Sequence, residues 1–280
     1  MMNQIYLSDN LPILVALPAE SVNLIYIDPP FNTGKLQARK SLKTIRTEDG
    51  DRTGFGNHRY HSEVILEHAY KDSFEDYEEF LLPRLKQAYR LLKPNGSLYF
   101  HIDYREVHRC KVMLDGIFGR ENFLNEIIWA YDFGGRAKDR WPAKHDNILY
   151  YAKNQHDHVF NREEIDRIPY MAPGLVGKEK ADKGKLPTDT WWHTIVGTNS
   201  HEKTGYPTQK PLGILKRIIL ASSNPGDLVL DFFAGSGSTG AACLALGRCF
   251  ILIDNNPEAI AVMHKRFGDD QSIEWLGEAG

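Results

Sequence analysis

Two short stretches carry residue types and spacings that can do chemistry together. The first is Asp28-Pro29-Pro30-Phe31-Asn32-Thr33-Gly34, which follows the apolar run Val22 to Ile27, the pattern of a buried parallel strand. The prolines fix φ, remove N–H donors and hold the residue before each in an extended shape, so the loop is stiff and no helix runs through it. Phe31 offers a face for a flat, nitrogen-rich ring, while the Asp28 carboxylate and nearby loop carbonyls can accept hydrogen bonds from an exocyclic amine. The ligand so described is a nucleobase. Taken alone, Asp-Pro-Pro is equally an ordinary strand-ending turn, and it is the second stretch that separates the two readings.

That second stretch is the strand Asp227 to Asp231, the turn Phe232-Phe233-Ala234-Gly235-Ser236-Gly237-Ser238-Thr239-Gly240, and the helix Ala241 to Leu246. Glycines let a backbone approach a ligand closely, and a helix N-terminus offers N–H groups and partial positive charge. A further strand, Cys249 to Ile253, ends at Asp254, placed to accept hydrogen bonds from the hydroxyls of a ribose. Gly235, Gly237 and Gly240 also satisfy G-x-G-x-x-G, which admits a nicotinamide-dependent dehydrogenase. Against it, Asp231 would repel a pyrophosphate and attract the cationic amino group of a methionine moiety. The forty residues after Gly240 are also too few for the rest of a dinucleotide fold unless the N-terminal strands join the same sheet. The cofactor expected is S-adenosylmethionine.

The elements that must position these stretches follow from the chain in order. Ile5 to Leu7 reads as a strand, Ser8-Asp9-Asn10 as a cap and Leu11 to Leu17 as a short helix. Residues 35 to 61 lack steady periodicity and carry Lys35, Arg39, Lys40, Lys43, Arg46, Arg52 and Arg59 against Glu48, Asp49 and Asp51. A long basic loop is expected there, either a flap on phosphates or a solvated surface. From Ser73 apolar residues recur at helical spacing as far as Leu92, where Lys93-Pro94-Asn95-Gly96 stops the helix. Ser97 to Ile102 reads as a strand, 104 to 118 as a helix, and Glu126 to Tyr131 with Asn147 to Ala152 as an antiparallel pair. Residues 153 to 205 break this rhythm and read as an insertion, with Trp191-Trp192-His193 a small satellite core.

Composition narrows the class without fixing it. At 280 residues the chain suits one large α/β domain with an insertion, or two small domains, and 42% hydrophobic with 25% charged residues is ordinary for a soluble protein. No apolar run reaches membrane-spanning length and the polar start is unlike a signal peptide, so a cytoplasmic protein with no membrane partner is expected. Cys110, Cys243 and Cys249 have no metal-like spacing, and His156-Asp157-His158 lacks a third ligand at helical spacing, so no metal site is expected. A net charge of −3 means that a nucleic-acid partner must meet local basic segments.

DPPFNTG, DFFAGSGSTG and Pro207-Thr208-Gln209-Lys210-Pro211, in this order, resemble the beta-class amino-methyltransferases of DNA from about Ile5 to Phe267. The resemblance implies a doubly wound α/β fold with a mainly parallel, seven-stranded sheet, a hairpin strand toward the C-terminus and a permuted motif order. It implies a catalytic half at 1–154, with the flexible basic loop 35–72, a target recognition insertion at 155–200, and the cofactor-binding half of the same domain at 201–280. Asp28, Pro29, Pro30 and Phe31 are then the catalytic, base-binding loop. Cofactor contacts fall to Asp9, Thr208, Gln209, Lys210, Asp231, Phe232, Phe233, Gly235, Ser236, Gly237, Asp254 and Asn255. DNA contacts are expected from Arg39, Lys40, Lys43, Lys178, Lys180, Lys183 and Lys185.

The family more often has Tyr at position 31 and Gly where this chain has Ser8, changes that threaten neither stacking nor carboxylate chemistry. The reaction implied is methylation of the N6 amine of a flipped adenine in double-stranded DNA. Asp28 in place of Ser favours adenine over the N4 amine of cytosine, and an RNA or protein amine stays open as substrate. Location with the nucleoid, a cognate restriction endonuclease and a homodimer are the further associations the family allows. If Phe31 stacks on the base, Phe31→Tyr stays active while Phe31→Ala loses roughly 1–3 kcal/mol of transition-state stabilisation. Steady-state kinetics on a methylatable duplex checks this.

Overall fold

The computed structural model describes residues 3–32, 76–197 and 199–277 with their side chains, and the backbone of the strands at 35–46, 52–53 and 59–72. In chain order the elements are β1 (Asn3–Leu7), α1 (Asn10–Ala16), β2 (Val22–Ile27), β3 (Lys35–Arg46), β4 (Arg52–Thr53), β5 (Arg59–Asp72), α2 (Tyr77–Leu91), β6 (Leu92–Ile102) and α3 (Val107–Phe118). There follow β7 (Phe123–Ala130), β8 (His145–Ala152), α4 (Lys178–Lys183), β9 (Thr190–Trp192), α5 (Leu212–Ser222), β10 (Leu228–Asp231), α6 (Ser238–Leu246), β11 (Cys249–Asp254), α7 (Pro257–Phe267) and β12 (Ile273–Leu276). The chain divides into two compact units, one of Met1–Pro29 with Glu78–Gly280 and one of Pro30–Tyr77.

The larger unit is built on a nine-stranded sheet in the order β12-β1-β11-β10-β2-β6-β8-β7-β9. Its central strands read as unbroken apolar runs, and every residue of β2 and β10 is buried, as expected where helices cover both faces of a parallel sheet. Pairing of β10 with β2 sets Leu230 beside Ile25, so the two chemically loaded stretches leave neighbouring parallel strands at the same end. The N-terminal strand pairs with β11, which supplies the neighbours the short C-terminal part lacks. Helix α5 buries Ile214, Leu215, Ile218 and Ile219 on one side, the spacing of a single helical face. Helix α6 ends at Gly247 in the left-handed region, where its N–H closes onto the carbonyls of Cys243 and Leu244.

Three differences from the sequence-based expectation have local causes. The sheet has nine strands rather than seven, because β12 adds to β1 at one edge and β9 adds to β7 at the other. Four and three residues long, these strands are too short to show a period. The strand near the C-terminus is parallel to β1 and forms no hairpin; the hairpin is β7–β8, in mid-chain. The expected loop at 35–72 instead carries a three-stranded antiparallel sheet, β3-β5-β4, in the smaller unit. A register shift at Ser41/Leu42 breaks the alternation of β3 and hides it from a periodicity search. The same register sets Lys35 opposite Asp72, Lys40 opposite Glu67 and Lys43 opposite Glu63.

Trp191 is buried in the main core with Tyr99, Ile127, Trp129 and Ile218 and not in a separate satellite core, because β9 adds to β7; it donates its indole N–H to the Thr188 carbonyl at 2.8 Å, and Trp192 faces solvent. Trp129 on β7 in turn donates to the carbonyl of His193 at 2.7 Å. Among the described residues no helix is long and apolar enough to cross a membrane.

Asn23 is the polar exception on β2. Its Oδ1 accepts from the Leu228 N–H at 3.1 Å and from Lys93 Nζ at 2.9 Å, tying the start of β10 to its neighbour. Asn23→Ala leaves a buried N–H without that acceptor and should cost about 1–3 kcal/mol. A lower urea midpoint with an unchanged slope is the expected result.

Candidate active site

At the carboxyl ends of β2, β6 and β10 the structure gathers a set of buried polar side chains. Asp28 stands one residue beyond β2, with Oδ2 accepting from Lys210 Nζ in an ion pair whose two side chains are largely buried. Its other oxygen, Oδ1, is buried and accepts no hydrogen bond among the described residues. Behind it lies His101 on β6, fully buried, with Nδ1 3.9 Å from that oxygen, too far to satisfy it. The imidazole is held from both sides, by the Tyr26 hydroxyl at 2.8 Å on Nδ1 and by Asp146 Oδ2 at 3.2 Å on Nε2. Trp129 packs edge-on against the ring, and the Tyr131 hydroxyl donates to the second oxygen of Asp146 at 3.0 Å.

These contacts set the local charge. Burial works to raise the Asp146 pKa, but His101, the positive charge of Lys210 and the Tyr131 hydroxyl together hold its carboxyl below the usual range. Burial pushes the Tyr26 phenol well up, and the carboxylates of Asp28, Asp231 and Asp146 add to it, so Tyr26 remains a donor. Asp28 is thereby left as an anchored carboxylate with one unfilled acceptor.

The second half of the site surrounds the glycine turn. Asp231 is buried at the end of β10, accepting from the Phe233 N–H at 3.1 Å and the Thr239 hydroxyl at 2.5 Å. Burial first, then the neighbouring carboxylates of Asp28 and Asp254, push its pKa up to about 7. Asp254 closes β11 and accepts from the Gly235 N–H at 2.7 Å and the Asn256 N–H at 2.9 Å. Burial raises its pKa too. Gly235 and Gly237 have positive φ, and a Cβ on Gly237 would meet Met263 at 2.8 Å while one on Gly235 would meet the Tyr206 ring at 3.1 Å.

A pyrophosphate does not suit this turn. The N–H groups of Ala234, Gly235 and Gly237 already donate within the protein, to Ile253 O, Asp254 Oδ2 and Ala234 O. One buried and one half-buried carboxylate, Asp231 and Asp254, with no ion pair to a Lys or Arg among the described residues, instead suit a ligand that brings positive charge and hydroxyl donors. S-adenosylmethionine, with its sulfonium, ammonium and ribose, has that chemistry.

The remaining expected residues divide. Phe232 is buried and its carbonyl accepts from Asn10 Nδ2 at 2.6 Å, while the Phe233 ring lies 6.1 Å from that of Phe80. Ser236 pairs with Ser238 at 3.0 Å. Asp9 caps α1 through the Leu11 N–H and bonds Arg84 at 3.0 Å, so its carboxylate supports the turn between β1 and α1. Gln209 ties its own loop to Thr204 and to the Glu202 carbonyl, Thr208 and Asn255 face solvent, and Lys210 belongs with Asp28.

Pro29 belongs to the larger unit, whereas Pro30 and Phe31 belong to the smaller, where Tyr77 donates to the Pro30 carbonyl at 2.5 Å. Arg39, Lys40 and Lys43 lie on β3, and their side chains are outside the described residues. Lys178, Lys180 and Lys183 lie on α4, with Lys185 just beyond, paired to Ile168 through the backbone. Tyr26, His101, Asp146, Asn10 and Arg84 escape sequence reasoning. The one available signal is a histidine, His101, inside an otherwise apolar strand end.

A family model described as a DNA methylase matches residues 22–265. The chain belongs to that family. Over 271 residues the DNA methylase is 32% identical to DNA adenine methyltransferase YhdJ of Escherichia coli (strain K12), covering 92% of this chain and 80% of the relative. In fold it is similar to PvuII DNA methyltransferase (cytosine-N4-specific), with a TM-score of 0.65 and 18% identity over 98% of this chain and 95% of the other. It is likewise similar to the M1.HpyAVI–SAM complex, with a TM-score of 0.59 and 23% identity over 95% and 98%. The DNA methylase is thus an S-adenosylmethionine-dependent methyltransferase.

Because Asp231 has a pKa near 7 in the free protein, a cationic ligand that prefers its ionised form should bind more tightly as pH rises from about 6 to about 7.5, releasing protons. Calorimetry of S-adenosylmethionine in buffers of different ionisation enthalpy measures that release. Asp231→Asn should bind more weakly and lose this pH dependence. The sign for stability is opposite: a raised carboxylate pKa means the ligand-free fold loses stability as pH climbs through about 7.

Proposed function

We propose that this DNA methylase transfers the methyl group of S-adenosylmethionine to the N6 amine of adenine in double-stranded DNA, with Asp28 receiving the amine. The supporting observation is the divided state of that carboxylate: Oδ2 is anchored by Lys210, and Oδ1 is buried without a donor. A buried acceptor left empty is costly, and an exocyclic N–H fills it. The name of the 32% identical relative specifies adenine, which favours that base over cytosine.

When bound, S-adenosylmethionine supplies a methyl on a positively charged sulfur, an electrophile that needs no metal. The adenine amine is a poor nucleophile because its lone pair is delocalised into the ring. An N–H donated to Asp28 Oδ1 favours a pyramidal nitrogen, and the carboxylate stabilises the positive charge that arrives there as the N–C bond forms and the S–C bond breaks. The amine then gives up one proton, for which Oδ1 is the adjacent acceptor. Lys210 fixes the carboxylate, and the Tyr26–His101–Asp146 group lies behind it, with His101 Nδ1 3.9 Å from Oδ1. Phe31 and the prolines are proposed as the stacking loop.

Residues 155–200 are proposed as the target recognition segment between the catalytic half at 1–154 and the cofactor-binding half at 201–280, with Lys178, Lys180, Lys183 and Lys185 on phosphates, as with Arg39, Lys40 and Lys43. Action at the nucleoid in the cytoplasm follows from such a substrate. Association with a cognate endonuclease or a second copy is compatible with the reading.

Asp28→Asn should reduce methyl transfer to DNA by on the order of 10²-fold or more while leaving S-adenosylmethionine affinity nearly unchanged. Labelled-cofactor assays with nucleoside analysis of the product check both the rate and the base. Full activity of the variant would remove Asp28 from the chemistry, and N4-methylcytosine as product would correct the base.

A further inference from the structure

Between β7 and β8 the chain leaves the sheet for residues 131–144, Tyr-Asp-Phe-Gly-Gly-Arg-Ala-Lys-Asp-Arg-Trp-Pro-Ala-Lys. This loop rises from the sheet edge that carries Asp28. The start of β8 lies beside the end of β6, with Asn147 opposite Ile102, and the end of β6 lies beside the end of β2, with Phe100 opposite Ile27. Its root is fixed by several bonds. The Tyr131 N–H donates to the Lys144 carbonyl at 2.9 Å, and the Tyr131 hydroxyl donates to Asp146, which holds His101. Lys144 Nζ donates to the carbonyls of Phe133, Gly134 and Gly135 at 2.5, 2.8 and 3.0 Å.

The tip is the opposite of the root. Trp141 is 95% exposed and Phe133 66% exposed, on a stretch that also bears Arg136, Lys138 and Arg140. The ion pairs Arg136–Asp132, at 3.4 Å, and Arg140–Asp139, at 2.9 Å, lie in solvent, where such pairs contribute little and exchange easily for a phosphate. Tyr104, just beyond β6 at the same edge, adds a third exposed aromatic, beside Arg105, whose guanidinium is paired with the buried Asp103. Bare aromatic faces interleaved with guanidinium and ammonium groups, on a rooted loop, match a polyanion that presents flat rings.

We propose that the 131–144 loop is a duplex-DNA contact, in which Trp141 stacks on a base exposed by extrusion of the target nucleotide and Arg136, Lys138 and Arg140 meet the flanking phosphates. The assignment rests on the DNA reading above and adds a surface that reading does not contain. Extruding a nucleotide leaves its neighbours unstacked on one face, and an indole supplies a replacement face with little side-chain ordering. Rooting through Tyr131, Asp146 and His101 would keep the indole at a set distance from the amine-accepting carboxylate.

The test measures equilibrium binding to duplex DNA across a salt series, together with methyl incorporation, for the full chain and for Trp141→Ala, Trp141→Phe and the triple variant Arg136→Ala/Lys138→Ala/Arg140→Ala. Trp141→Ala should weaken duplex binding roughly tenfold, with Trp141→Phe recovering most of it, and the triple variant should flatten the salt slope by up to about 2.7. Thermal midpoint and S-adenosylmethionine affinity should stay at wild-type values. If the wild type binds and methylates duplex DNA and the variants do so equally well, the loop assignment is overturned and the DNA reading stands. If the wild type neither binds nor methylates duplex DNA, both fall. A change from dimer to monomer in sedimentation of Trp141→Ala, with DNA affinity unaltered, would assign the loop to self-association and overturn the proposal.

Discussion

Parallel pairing of β10 with β2 is the constraint on which the site depends. Leu230 beside Ile25 brings together two stretches separated by some two hundred residues of sequence, and each strand then ends on a carboxylate. Neither strand end would be a site alone. One is a stiff acid-proline turn and the other a glycine turn whose amides are already satisfied by Ile253, Asp254 and Ala234. Their adjacency converts two local motifs into one pocket edge with a donor-hungry carboxylate on one side and a cation-attracting one on the other.

The electrostatic consequence is a deliberate imbalance. Asp28, Asp231 and Asp254 crowd one edge of the sheet, and among the described residues Lys210 is the cation that pairs with the group, on Asp28. Repulsion and burial would be relieved by protonation of Asp231 or by a positively charged ligand, and the second route couples ligand binding to the ionisation of the site. Lys210 holds one oxygen of Asp28 while Asp231 is held by Thr239 and the Phe233 N–H, so the two carboxylates are set differently despite similar origins at strand termini. His101, between Tyr26 and Asp146, orients the arrangement from behind and does not compete for the free oxygen.

Much of this frame is legible in the sequence because its signals are local. Unbroken apolar runs mark β2 and β10, helical spacing marks α2 and α5, and the order of the two acid-ended strands points to the ligand class. What is not legible depends on distant partners or short elements. The bond between His101 and Asp146 spans 45 positions and that between Arg84 and Asn10 spans 74, and nothing in either neighbourhood announces the other. The Asp9 cap on α1 is legible, but the bonds from Gln209 to Thr204 and to the Glu202 carbonyl that brace its loop are not. The strands β9 and β12 are too short to show alternation, and the shift at Ser41/Leu42 conceals β3.

One feature of the sheet bears on how the protein is made. Strand β1 lies between β11 and β12, and the Asn3 side chain accepts from the backbone N–H of Phe250, 247 positions away. During synthesis β1 has no partner until β11 has been made, so its edge groups and those of β2 that face β10 stay unpaired meanwhile. Loop closure on that scale is slow, and strands awaiting such closure are where nascent chains aggregate or engage chaperones. The topology that joins the two halves of the site thus makes its assembly wait for a strand synthesised about two hundred residues after its partner.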